Sequence, residues 1–273
     1  MTRSIVLTGA TGGIGAALAQ ALVARGDRVL LVARSSDAVA RLARELAAGT
    51  PPGAVDALAL DVTNARARAA IVSAAAGRSC DTLVDLAAIP SFGALETLDD
   101  AHVEAVIATD LVAPILLTRA LLPHLRRQPR ATILHVGSAL GRMGLPGFTV
   151  YGAAKFGLRG FDEALRRELA GSGVRMCHLA PRSTRTAFND DRVEAYNRAT
   201  GTRADPPSRV VRAALAMLDG RSAERFLGFP ESIAVRLNGL APTWLDRAFR
   251  PHRDALRRPV APHPSLEPLE TSE

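Results

Sequence analysis

The stretch SIVLTGATGGIG, Ser4 to Gly15, constrains the fold more than any other part of the chain. A short apolar run ends in a glycine-rich turn and passes directly into IGAALAQALVARG, which has helical periodicity. Strand, tight turn and helix in that order aim the free N–H groups and positive dipole end of a helix at whatever binds in the turn. Glycine permits the turn and lets a pyrophosphate approach the backbone. A glycine pattern alone says little, and its place between strand and helix is what carries the inference. The glycines are Gly9, Gly13 and Gly15, with a wider first gap than the usual dinucleotide fingerprint. We therefore expect Gly9, Thr11, Gly12, Gly13, Ile14 and Gly15 to hold the phosphates of a dinucleotide.

The same alternation continues along the chain. Short apolar runs at RVLLVA, AVDALAL, CDTLVDLA, ATILHVG, GVRMCHLA and ERFLGF are separated by helical patterns. The longest of these runs from Asp99 to Arg127, and another runs from Tyr151 to Ala170. This is the signature of an α/β fold with a parallel sheet covered by helices on both faces. At 273 residues, and with no internal repeat or interdomain linker, a single Rossmann-like domain over residues 1–257 is expected. Within it, 230–257 forms an amphipathic C-terminal extension, and the proline-dotted 258–273 reads as a flexible tail.

Composition removes several alternatives. The net charge of +7 invites a nucleic-acid partner, but no nucleic-acid module accompanies it and the arginines are scattered along helical stretches near Asp and Glu. Cys80 and Cys177 make neither a disulfide framework nor a metal-ligand pattern, so no metal is expected. No apolar run approaches the ~18 residues of a membrane span. The N-terminus lacks the layout of a signal peptide. A reducing cytoplasm is the expected setting.

The second strand bears on the cofactor. An NAD site places a carboxylate near its end to hold the ribose 2′-hydroxyl. Here the strand ends in Ala33, Arg34 and Ser35. Arg34 can pair with a 2′-phosphate, and no acid is present to repel one, so NADPH/NADP+ is expected over NADH/NAD+.

The catalytic expectation rests on YGAAKFGLRG, Tyr151 to Gly160. Of the 34 Lys and Arg residues only Lys155 is lysine, and tyrosine occurs only at Tyr151 and Tyr196. Tyr151 and Lys155 are four residues apart on one helical face. A free phenol titrates near ~10, and a nearby ammonium is expected to lower that value toward useful proton exchange. Ser138, upstream, can donate a hydrogen bond to a substrate oxygen as negative charge develops on it.

Taken in order, TGATGGIG, DVT (Asp61 to Thr63), Ser138, YGAAK and PRSTRT (Pro181 to Thr186) resemble the short-chain dehydrogenase/reductase family over about residues 3 to 230. The resemblance implies a doubly wound, seven-stranded parallel sheet and hydride transfer between a nicotinamide and an alcohol or carbonyl. It implies that Asp61 and Val62 contact the adenine end and that Ala87 and Ala88 shape the backbone beside the cofactor. Pro181, Ser183, Thr184 and Thr186 would lie along the nicotinamide, and Lys155 would hold its ribose. Helices 99–127 and 151–170 resemble those that build a homodimer or homotetramer in this family.

Three positions depart from the family pattern. DLAA, Asp85 to Ala88, replaces Asn-Asn-Ala-Gly, so a buried Asp85 would need hydrogen-bond partners. Asp110 stands at the catalytic asparagine, whose backbone carbonyl in the family helps hold a water behind the lysine. Arg182 replaces glycine, and it either meets an acidic substrate group or points to solvent. The leading expectation is an NADPH-dependent reductase of a ketone or 3-oxoacyl group, small, lipid-like or carrier-bound, with Tyr151 as general acid. An NAD(P)+-dependent secondary alcohol dehydrogenase uses the same residues in reverse, and a non-catalytic NADP(H)-binding sensor is the alternative of another class. Residues 187–207 are expected to cover the substrate. The extension 230–257 packs, caps the cleft, or lies peripherally on a membrane.

Overall fold

The computed structural model describes residues 2–220, 222–228, 231–241, 243 and 246–257. The expected tail at 258–273 lies outside the described residues. Seven parallel strands form one sheet in the order β3-β2-β1-β4-β5-β6-β7. They are β1 Ser4–Thr8, β2 Arg28–Ala33, β3 Val55–Ala59, β4 Thr82–Asp85, β5 Ala131–Val136, β6 Val174–Ala180 and β7 Glu224–Phe226. Every residue of β1, β4 and β5 is buried, as a sheet covered on both faces requires.

One face packs α1 Gly13–Ala24, α2 Ser36–Ala47 and α8 Pro207–Leu218 through Leu18, Leu22, Val39, Val210 and Met217. The other packs α3 Ala65–Gly77, α5 Ala113–Leu125 and α6 Thr149–Glu168 through Ile71, Leu117, Leu121 and Leu165. The strand order reverses between β1 and β4, which pair from Ile5 with Thr82 to Thr8 with Asp85. Connections leave these strands toward opposite faces, so a crevice opens at their carboxyl ends.

The long helix expected from Asp99 to Arg127 is interrupted. It forms α4 Asp100–Ile107, a π-helical turn at Ala108–Val112, and α5. Asp99 caps its start by accepting from His102 N at 2.6 Å. In the wide turn the N–H of Ala113 reaches back to the Ala108 carbonyl. Pro114 has no N–H to donate to the Asp110 carbonyl four residues earlier, which removes an α-helical bond at that point. By length and composition alone Asp100–Leu125 could cross a membrane, contrary to the sequence expectation. In this fold its Val106, Leu117, Leu121 and Leu125 are buried in the packed interior.

A polar cluster lies in that interior. His135 of β5 and His178 of β6 are register partners, and both Nδ1 atoms lie 2.6 Å from Asp162 of α6. His135 Nε2 is 3.0 Å from Thr118 Oγ1 of α5. Burial alone would raise the Asp162 carboxyl, but the two imidazoles more than offset this and hold it below the usual carboxylate range. Burial would likewise lower His135, and Asp162 reverses that shift. The depressed carboxyl contributes stability above its unfolded value near ~3.9, lost as pH falls through the folded value. The raised imidazole contributes below its unfolded value near ~6.5, lost as pH rises through the folded value. Both contributions are therefore complete between about pH 4 and 6.5. Asp162→Ala is expected to cost about 3–5 kcal/mol in urea melts at pH 5.5, because it strands two buried rings. A variant as stable as the wild type would remove this role.

Of the C-terminal extension, α9 spans Glu231–Leu240 and α10 spans Arg250–Leu256. The side chains of 231–235, with Pro230, Trp244 and Leu245, lie outside the described residues. Leu237 and Leu240 are exposed, whereas α10 buries Ala255 beside Val193 and Tyr196 of α7 Asp191–Thr200.

Candidate active site

A cleft of about 860 Å³ lies at the carboxyl ends of the strands. Its floor is the turn between β1 and α1. Gly9 has φ +63°, and a Cβ there would lie 2.7 Å from the Leu86 carbonyl carbon, so β1 and the segment after β4 meet only through glycine. A Cβ on Gly15 would lie 2.1 Å from the Gly9 oxygen. α1 begins after Gly12 with no side-chain cap and no acid in its first turn. Its leading N–H groups and dipole are therefore free to meet phosphate, and these residues fit the pyrophosphate of a dinucleotide.

Thr11, Gly12, Gly13, Ile14, Arg34, Asp61, Val62, Ala87 and Ala88 also line the cleft, as do Pro181, Ser183, Thr184 and Thr186 after β6. Arg34 is exposed at the end of β2 and has no ion-pair partner among the described residues. Ser35 is used differently: its Oγ accepts from Ala38 N and caps α2, and it does not line the cleft. Asp85 finds the partners its burial demands. Its Oδ1 accepts from Thr8 Oγ1 and, at 3.2 Å, from Ala87 N. Thr8 Oγ1 in turn accepts from Leu86 N and Ala87 N. The aspartate thus ties the end of β1 to the backbone beside the cofactor position.

Ser138 lies just past β5, and Tyr151 and Lys155 lie one turn apart in α6. All three line the cleft. The Ser138 hydroxyl is hydrogen-bonded to Tyr151 and accepts from Leu140 N at 3.1 Å. Lys155 is 2 % exposed, with Nζ 5.3 Å from the centre of the Tyr151 ring. Asp110 is fully buried behind it, with Oδ2 3.0 Å from Lys155 Nζ and Oδ1 accepting from Ile89 N at 2.9 Å. The sequence reading assigned Asp110 only a backbone carbonyl. Its carboxylate is what touches the lysine. The sequence signal was present in the change from asparagine to an acid on a helix facing the chain's sole lysine.

The electrostatics follow from these contacts. Burial would lower Lys155, but Asp110 and then Tyr151 more than reverse this, so the ammonium holds its proton above the ordinary lysine value. Tyr151 was expected to titrate below an ordinary phenol. Instead burial pushes it up, Lys155 opposes, and Asp110 adds to the rise by offsetting the ammonium's field. The tyrosine is a protonated acid at neutral pH.

Arg182 does not stand free in the cleft. Its guanidinium is 2.7 Å from Asp205 Oδ1, which Arg209 also meets at 3.0 Å. Asn189 and Asn197, from the segment expected to cover the substrate, donate to Ser183 Oγ at 3.2 and 3.1 Å. Sequence reading did not find the aromatic wall of Phe92, Phe148, Tyr196, Phe249 and His252, because its members come from five separate segments.

The model of the short chain dehydrogenase family matches residues 3–197. The chain belongs to that family. A short-chain dehydrogenase acts on CH–OH or C=O groups with NAD(P), and the doubly wound sheet is that of its solved neighbours. A 3-oxoacyl-(acyl-carrier-protein) reductase of Vibrio harveyi is 32% identical over 231 residues, covering 82% of this chain and 92% of its own. A metagenomic short-chain oxidoreductase solved in complex with NADP is 30% identical, with a TM-score of 0.69, covering 82% of this chain and 96% of its own. The actinorhodin polyketide ketoreductase solved with NADPH is 26% identical, with a TM-score of 0.75, covering 84% and 95%.

Proposed function

We propose that this short-chain dehydrogenase is an NADPH-dependent reductase that converts a ketone or 3-oxoacyl group to a secondary alcohol. The observation that carries this reading is the meeting of Ser138, Tyr151 and Lys155 with the glycine turn and unpaired Arg34 in one cleft. When bound, reduced nicotinamide supplies a hydride to the carbonyl carbon. Tyr151 gives its phenolic proton to the carbonyl oxygen, and Ser138 hydrogen-bonds that same oxygen as charge builds on it. Lys155 keeps a positive charge beside the phenol as it loses its proton, and Asp110 fixes where that charge sits. The test is an NADPH-oxidation screen over ketones, β-ketoesters and 3-oxoacyl thioesters. Tight NADPH binding without turnover across the panel would favour the sensor reading, and oxidation of secondary alcohols alone would favour the dehydrogenase direction.

NADPH is the cofactor we infer, because Arg34 is exposed at the ribose end of β2 with no described ion partner and the solved neighbours named above carry NADP or NADPH. Arg34→Ala is expected to raise KM for NADPH at least about tenfold and leave KM for NADH nearly unchanged, since a charge-assisted pair is lost only with the phosphate. An unchanged preference would sink the assignment. Association through α5 and α6 into a dimer or tetramer is supported by Val112 and Phe156, each 42% exposed on or beside those helices. Cys80 and Cys177 are both free and buried, in keeping with a reducing cytoplasmic setting.

A further inference from the structure

The cleft continues beyond the reacting groups into a region that the proposed chemistry does not use. Phe92, Phe148 and Tyr196 pack there edge to face or tilted, with ring centres 4.9 to 5.8 Å apart. The Tyr196 hydroxyl is already engaged, donating to the Pro146 carbonyl at 2.9 Å. α10 closes this end by placing His252 against Tyr196, with ring centres 5.6 Å apart, and against Phe249 at 5.5 Å. Only 4% of the chain is aromatic, so gathering these rings at one end of one cleft is a concentrated investment in apolar contact.

Two polar atoms in this wall stand out. Ser91 is 3% exposed and lines the cleft, yet its Oγ has no hydrogen-bond partner among the described residues. The buried Nδ1 of His252 has none either. An unpaired buried polar atom is costly in a native fold and calls for a partner. Formal charge is meanwhile kept away from this end. The charged residues that line the cleft are Arg34 and Asp61 toward the adenine end, Lys155 held by Asp110, and Arg182 held by Asp205. Burial also lowers the His252 imidazole from its ordinary value, so it is neutral at pH 7.

We infer that the substrate is an uncharged ketone with a bulky apolar body and a second oxygen function at the end remote from the reacting carbonyl, received by His252 Nδ1 and Ser91 Oγ. This deepens the reductase reading and rests on it. A carboxylate or a phosphate drawn into the same region would lose its hydration and find no described counter-ion. A hydroxyl or carbonyl can satisfy both orphaned atoms, because serine donates or accepts and the neutral imidazole presents either tautomer.

The probes are 4-phenylcyclohexanone, 4-(4-hydroxyphenyl)cyclohexanone and 4-(4-oxocyclohexyl)benzoate, with NADPH oxidation by the full chain as readout. The hydroxyphenyl ketone is expected to show a kcat/KM about fivefold to tenfold above the phenyl ketone, as one hydrogen bond gained at a site that otherwise leaves polar atoms unpaired. The benzoate is expected to fall at least about tenfold below the phenyl ketone. His252→Phe should bring the hydroxyphenyl-to-phenyl ratio close to one, and Ser91→Ala should lower it. A variant that merely packs badly would lower both substrates together and keep their ratio. Reduction of both neutral ketones with equal kcat/KM in the wild type would overturn the inference while leaving the reductase reading standing, as an ordered water on the two atoms would produce. A preference that survives His252→Phe, or a benzoate reduced as well as the phenyl ketone, overturns it too. If no ketone or thioester of the wider panel is reduced, the reductase reading fails and the inference with it.

Discussion

Tyr151→Phe is expected to keep the fold and the affinity for NADPH while lowering kcat for carbonyl reduction by about 10²–10⁴-fold, the usual worth of a positioned acid. The ring stays, so its packing 5.9 Å from Phe188 is preserved and Lys155 keeps its ion pair with Asp110. What disappears is the one proton donor hydrogen-bonded to Ser138. The size of the loss depends on the phenol being protonated in the wild type. Burial holds Tyr151 above its ordinary value, and the Asp110 carboxylate offsets part of the ammonium's pull in the other direction. Reduction by the wild type should therefore be flat on the alkaline side of neutrality, falling only where the phenol loses its proton, and that limb should be missing from the residual activity of the variant. Single-turnover hydride transfer and NADPH fluorescence titration measure the two halves of this expectation. If Tyr151→Phe kept a tenth or more of wild-type kcat, another group would be the acid.

Much of this was legible before any coordinates. The turn at Gly9 to Gly15 was readable because glycine is demanded twice by physics, once for a positive φ and once for close backbone contact. The sheet was readable because buried parallel strands are written as uninterrupted apolar runs, as in SIVLT and ATILHV. Arg34 was readable because the end of the second strand is a fixed distance in sequence from the turn. Other features depend on contacts across the fold. Asp110 reaches Lys155 only because a π-helical turn interrupts the long helix, and helical periodicity cannot report one extra residue in a turn. The upward shift of Tyr151 is a balance of burial against two opposing charges, which a tyrosine and lysine four apart cannot convey. The Asp162 cluster joins two strands to a helix, and nothing local marks His135 or His178 as its partners. The aromatic wall draws on the loop after β4, the loop before α6, α7 and the C-terminal extension, so no window of sequence contains it. Ser35 shows the opposite error. Its place beside Arg34 suggested a cofactor contact, whereas the start of α2 claims its side chain as a cap.

Lys155→Arg keeps the formal charge, yet we expect at least about a 10²-fold loss in kcat, since misplacing a catalytic group by an ångström costs that much. The site is built for a compact ammonium. Nζ has Asp110 at 3.0 Å on one side and the Tyr151 ring at 5.3 Å on the other, with almost no exposure to solvent. Close packing continues along the backbone, where a Cβ on Gly141 would lie 2.7 Å from the Lys155 carbonyl oxygen, so α6 cannot draw back from that side to admit a longer side chain. A guanidinium is planar, wider and carried further from the helix, and it would take the Asp110 carboxylate in a bidentate grip. Its charge would then sit away from the phenol and lose directional control over the proton that Tyr151 must release. The chain uses arginine at nearly every other basic position, so nothing in its composition opposes the substitution; the geometry does. The variant should still melt cooperatively, because the buried acid retains a cation. Steady-state kcat beside a thermal melt separates the two effects. Near-normal turnover in a folded Lys155→Arg protein would show that any cation behind Tyr151 suffices.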